Sequence, residues 1–164
     1  MNKKILFIDL DGTIIKTNSG KVFPTDVTDF KFRKEVLDKI KTLDGLKYIF
    51  IVTNQGGIPE YVKKFDFETK LKAIKVFVAG YCGVTTYAMY CDSIDKSNPR
   101  RKPNIGMLED AWSWCDGEYD KSQAFMIGDA SGKPGDFSDS DLKTAMNFGI
   151  DYIDVEEFIN ADKS

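Results

Sequence analysis

The stretch FIDLDGTIIKTNSGKVFP, residues 7–24, places Asp9 and Asp11 directly after an apolar run and closes the turn with Gly12 and Thr13. Residues 4–8, KILFI, join apolar and β-branched side chains without a break, the pattern of a short strand buried on both faces. Both carboxylates therefore leave the carboxyl end of an interior strand, where like charges repel and burial disfavours ionisation. Such an arrangement is tolerable where a cation is shared. Residues 14–17 and 21–23 flank the turn sequence NSG and predict a small β-hairpin that leans over this strand end as a flap.

Moving outward, DFKFRKEVLDKIKTL carries Phe32, Val36, Leu37, Ile40 and Leu43 at helical spacing, and Gly45 follows as a stop signal. KYIFIVTN reads as a second buried strand that ends in Thr53 and Asn54. The pattern continues with a helix over 68–78, a strand over 85–91, the polar loop SNPRRKPN and a helix over 104–114. SQAFMIGDA is a strand running into a Gly-Asp turn, followed by a helix over 140–148 and the short strand DYIDV. Strands alternating with helices predict an α/β fold with three layers, a doubly wound, mostly parallel sheet and right-handed crossovers. At 164 residues and 42% hydrophobic content, the chain suffices for one core, so a single domain over 1–164 is expected. Ligands of open α/β sheets bind at the carboxyl ends of the strands, and Asp9, Asp11, Thr53, Asn54 and Asp129 all fall at such ends.

Composition narrows the chemistry. The absence of histidine removes an imidazole base, a phosphohistidine and any zinc site built on imidazole, so carboxylates must do the acid and base work. The three cysteines form no CxxC pair and read as reduced, mostly buried thiols. Hard oxygen ligands point to Mg²⁺ as the shared cation. A net charge of −3 excludes a generally basic surface, and nucleic-acid contact must come from a local patch. The N-terminal apolar run is too short for a signal peptide or a membrane span, and a cytoplasmic protein without membrane association is expected.

In this order and spacing, DLDGT at residues 9–13, IVTN ending at Thr53 and Asn54, Lys102 in RRKPN, and Asp129 in MIGDA resemble the four motifs of the haloacid dehalogenase-like phosphatases. The resemblance implies Asp9 as nucleophile, forming an aspartyl-phosphate, and Asp11 as general acid and then base. It further implies that Thr53 and Lys102 hold phosphoryl oxygens. Mg²⁺ would be held by the side chains of Asp9 and Asp129 and the main-chain carbonyl of Asp11. A carboxylate approaching a phosphate meets repulsion of about 4 kcal/mol per charge pair at ~4 Å and an effective dielectric near 20, which Mg²⁺ and Lys102 are suited to offset.

The intervals Asp11 to Thr53 and Thr53 to Lys102 are already filled by the elements above, leaving no room for a cap domain. A capless, open site suits a phosphate on the end of a large molecule. Over nearly the whole chain, DLDGTIIKTNSGKVFP, TNQGGI, RKPNIGM and IGDASGKPGDFSDSDLKTAMNFGI are similar to the phosphatase domain of the polynucleotide kinase 3′-phosphatases. That resemblance implies removal of 3′-phosphates from strand ends, DNA ahead of RNA, as in end processing during DNA repair. Asn54, Lys102, Arg101 and Lys21 are the expected substrate contacts beside Thr53, with Phe23 or Phe137 as stacking candidates against a core role. Asp136 and Asp141 read equally as partners of Lys102 or the metal and as helix N-terminal acids.

No GxxxxGK[ST] run is present, so a 5′-kinase is not expected. The rivals are a phosphatase of similar mechanism for free nucleotides or another small phosphoester, and a nonenzymatic module that binds strand ends. No protein partner follows from the sequence.

Overall fold

The computed structural model describes residues 2–161. Five strands form one parallel sheet: β1 (Ile5–Ile8), β4 (Tyr48–Asn54), β5 (Thr85–Cys91), β6 (Ala124–Gly128) and β7 (Asp151–Asp154), in the order β5-β4-β1-β6-β7. In β1, Ile5, Leu6, Phe7 and Ile8 are all fully buried, as an uninterrupted apolar run in a central parallel strand requires. Its register sets Ile8 beside Ile51 of β4 and Ile127 of β6. From β1 the chain builds one half of the sheet outward through β4 and β5, then crosses to β6 and β7 on the other side. The carboxyl ends of β1, β4 and β6 therefore meet at the point where strand order reverses.

The pleat divides the core in two. Leu6 and Ile8 pack with α1 (Lys34–Lys41), α2 (Lys64–Cys82) and α5 (Val155–Asn160), whereas Ile5 and Phe7 pack with α3 (Gly106–Trp114) and α4 (Ser140–Phe148). Period-two alternation in the strands thus produces the expected three layers.

Several boundaries differ from the sequence expectation. A two-stranded antiparallel hairpin is present, but β2 (Ile15–Lys16) pairs with β3 (Lys31–Phe32) rather than with residues 21–23. Side-chain hydrogen bonds explain the difference. The Asp29 carboxylate accepts from the main-chain N–H groups of Ser19 and Thr25 and from the Ser19 hydroxyl, so the loop between β2 and β3 is gathered around one acid. These bonds hold the Asp29 carboxyl well below the usual carboxylate range. Phe32 belongs to this hairpin, and α1 begins two residues later. Helix α2 is longer than residues 68–78 and ends at Gly83, whose φ of +68° is the left-handed C-cap. Helix α5 is an addition, started by Asp154, whose carboxylate accepts from the Glu156 N–H at 2.9 Å. Cys82, Cys91 and Cys115 are free thiols, Cys91 buried and the others half-buried.

Candidate active site

The turn after β1 is built to bring acids together. Asp9 continues the ladder through its N–H to the Ile127 carbonyl at 3.0 Å, and the Leu10 carbonyl accepts from Thr13, Ile14 and Ile15. Gly12 adopts φ +83°, and a Cβ there would stand 2.0 Å from Asp129 Oδ2. Gly128 has the same function one strand over, where a Cβ would stand 2.4 Å from Asp141 Oδ2. The two glycines make room for two carboxylates beside Asp9. Arg33 ties the turn down, donating to the Gly12 carbonyl at 3.0 Å and pairing with Glu156 at the start of α5.

Lys102 is buried, and its ammonium donates to Asp9 Oδ1 at 2.8 Å, Asp141 Oδ1 at 2.7 Å and the Val52 carbonyl at 3.0 Å. All three N–H bonds are satisfied. Burial would lower the pKa of this lysine, but Asp141 and Asp9 outweigh that effect and hold it above the usual lysine range. Asp9 Oδ2 accepts from the Thr13 hydroxyl at 3.1 Å. Asn54 fixes the Lys102 main chain at both ends: its Nδ2 donates to the Lys102 carbonyl and its Oδ1 accepts from the Lys102 N–H.

Asp129 faces this group without a cation of its own among the described residues. Burial, followed by the charge of Asp9, pushes its carboxyl up to about 8. Asp141 is also raised, by burial and then by Asp9, with Lys102 acting against both. Oxygens of Asp9, Asp129 and Asp141 all lie within 4.8 Å of one another. Asp141 is already engaged, by Lys102 through Oδ1 and by the Ala130 N–H through Oδ2. Asp9 is engaged to the same extent, by Lys102 through Oδ1 and by Thr13 through Oδ2, so Asp129 offers the freest carboxylate lone pairs of the three. The Asp11 main-chain carbonyl accepts no hydrogen bond among the described residues. An all-oxygen donor set carrying surplus negative charge fits Mg²⁺.

The remaining expected residues take different positions. Asp11 is exposed and outside the cluster of Asp9, Asp129 and Asp141, and its carboxylate accepts from Gln55 Nε2 at 2.8 Å. Thr53 is buried, and its Oγ1 accepts from the same Nε2 at 2.9 Å. Arg101 donates to the Ser93 carbonyl at 3.0 Å, while Lys21 is exposed on the hairpin loop, its main chain bonded to the Thr17 and Ser19 hydroxyls and its ammonium without a partner among the described residues. Phe23 and Phe137 are 72% and 89% exposed, so neither has a core role. Of the two acids left open above, Asp141 is the partner of Lys102. Asp136 instead orders the loop after Asp129, accepting from the Ser131 and Lys133 N–H groups. Gln55 was not singled out as a site residue, although it directly follows the Thr53-Asn54 pair.

Comparison with known proteins bears on the family and the fold. A family model described as "Polynucleotide kinase 3 phosphatase" matches residues 4–159. The bifunctional polynucleotide phosphatase/kinase of Schizosaccharomyces pombe is 36% identical over 95% of this chain, which spans 37% of that protein's length. The histidine biosynthesis bifunctional protein HisB of Campylobacter jejuni is 31% identical over 92% of this chain and 41% of its own length. The chain thus spans about two-fifths of each of these relatives. Among solved structures, the D,D-heptose 1.7-bisphosphate phosphatase of B. bronchiseptica, crystallised with magnesium and phosphate, shares the fold. It has a TM-score of 0.68 and 20% identity, covering 91% of this chain and 78% of that one. With the family match running over nearly its full length, this chain belongs to the polynucleotide kinase 3 phosphatase family.

Proposed function

We propose that the chain is a Mg²⁺-dependent phosphomonoesterase that removes the 3′-phosphate from nucleic-acid strand ends, DNA ahead of RNA. The observation that carries this reading is the placement of Asp9 just past β1, with Oδ1 paired to the Lys102 ammonium and its carboxylate beside that of Asp129, which has no cation among the described residues. Asp9 attacks phosphorus as the bond to the 3′-oxygen breaks, and Asp11 passes its proton to that leaving oxygen. A free 3′-hydroxyl and an aspartyl-phosphate result. Asp11, now a carboxylate, takes a proton from water, whose oxygen bonds to phosphorus as the Asp9 carboxylate departs.

Asp9, Asp129 and the Asp11 carbonyl would hold Mg²⁺, which when bound would supply positive charge to offset repulsion between the attacking carboxylate and the phosphate. The Thr53 hydroxyl and the fixed charge of Lys102 serve the phosphoryl oxygens. Lys21 serves the strand backbone. Asn54 and Arg101 act through what they hold, the Lys102 main chain and the Ser93 carbonyl. A cytoplasmic location accompanies this reading. Among the described residues, no helix is long and apolar enough to cross a membrane.

Phosphate release from a 3′-phosphorylated oligonucleotide, compared with the matching 3′-mononucleotide, tests the substrate class. An oligonucleotide advantage in kcat/KM of about tenfold, near 1.4 kcal/mol, is expected. An equal or better mononucleotide would favour the small-phosphoester reading.

A further inference from the structure

Gln55 joins two of the groups above through one amide. It follows β4 directly, is half-buried, and has its main-chain N–H fixed on the Cys91 carbonyl at 2.7 Å. Its Nε2 donates to Asp11 Oδ2 at 2.8 Å and to Thr53 Oγ1 at 2.9 Å. An amide nitrogen carries two hydrogens, and these two acceptors use both. The reversed amide would set its oxygen against the Asp11 carboxylate, so the charge of Asp11 selects this orientation.

Asp11 is exposed, forms no salt bridge and accepts no other side-chain hydrogen bond among the described residues. Gln55 is thus what limits its rotation. With Oδ2 engaged, Oδ1 is left to carry the proton. Thr53 Oγ1, receiving one Gln55 hydrogen, keeps its own hydroxyl hydrogen for another acceptor.

We propose that Gln55 is a positioning residue for the reaction. It holds Asp11 with Oδ1 as the proton-carrying oxygen and leaves the Thr53 hydrogen for the phosphoryl group. This rests on the acid–base reading of Asp11, in which the proton moves from Asp11 to the leaving oxygen as the phosphorus–oxygen bond breaks. A group that only maintains the fold would affect all substrates alike. One that positions an acid matters most where the leaving group needs a proton.

The test compares kcat/KM, which ends at leaving-group departure and so excludes the aspartyl-phosphate hydrolysis common to both substrates, for the wild type, Gln55→Met, Gln55→Asn and Asp11→Asn on two substrates with saturating Mg²⁺. One is a 3′-phosphorylated oligonucleotide, whose leaving alkoxide needs a proton; the other is p-nitrophenyl phosphate, whose leaving phenolate does not. Gln55→Met keeps the length without the donor, and Gln55→Asn keeps the donor one methylene too short. Asp11→Asn should lose about a hundredfold more on the oligonucleotide than on the aryl ester, and both Gln55 variants about tenfold more. Aryl ester turnover also reports that the variants are folded. Equal losses on both substrates for the Gln55 variants, with Asp11→Asn still selective, would overturn the positioning role alone. Absence of selectivity in Asp11→Asn would overturn the acid–base reading and this proposal together.

Discussion

Lys102 and Asp141 form a buried ion pair at 2.7 Å that locks the loop before α3 to the first turn of α4. Because Asp141 also caps the Ala130 N–H, one side chain fixes both the counter-charge of Asp9 and the start of the loop that follows Asp129. Asp141→Ala should lower stability by about 2 kcal/mol, the cost of leaving buried donors unmatched. Urea unfolding measures this, and turnover should fall with it. A stable variant with full activity would show that the pair is dispensable.

Gly12→Ala tests the crowding of the acids. The substitution combines a left-handed φ with a 2.0 Å approach to Asp129, so it should displace that carboxylate as well as strain the turn. Weaker Mg²⁺ binding by calorimetry and a stability loss of about 1–2 kcal/mol are expected. Unchanged Mg²⁺ affinity would contradict the assignment of Asp129 as a ligand.

The raised Asp129 carboxyl gives the metal-free protein a definite pH dependence. For a group whose folded pKa exceeds its unfolded value, the stability contribution is complete below about pH 4 and is lost as the pH rises through the folded value, about 8. Bound Mg²⁺ would select the ionised form and remove this loss. The rise in Tm on adding Mg²⁺ should therefore be larger near pH ~9 than near pH ~6. An equal rise at both would contradict this linkage.

Asn54→Leu should leave Lys102 in place less firmly, since both main-chain hydrogen bonds to residue 102 disappear. The expected signature is a kcat loss of about tenfold with a smaller change in KM, because the lost alignment matters most as charge develops on the phosphoryl group. A loss confined to KM would favour direct substrate contact by Asn54.

Much of this was legible in the sequence because it depends on local order. An unbroken apolar run followed by two acids and a glycine identifies β1 and Asp9, and the alternation of elements identifies the layers. Lys102 was found by motif order, its burial only by structure. Asp141 stayed ambiguous because an acid in the first turn of a helix has an ordinary explanation in the helix dipole. The true partner of β2 was hidden because Asp29, outside the NSG turn, organises the loop through side-chain hydrogen bonds. Gln55 was legible only as one letter of TNQGGI, since its hydrogen bond to Asp11 joins the ends of two different strands.

In the reaction proposed above, Asp9 carries the phosphoryl group midway through turnover. Acid quenching the enzyme during turnover of an oligonucleotide bearing a radiolabelled 3′-phosphate, with borohydride reduction to map the acyl phosphate, tests it most directly. Label retained on the protein and reduction located at residue 9 are the expected results. Steady turnover with no label on the protein, or label on a different residue, would contradict the account.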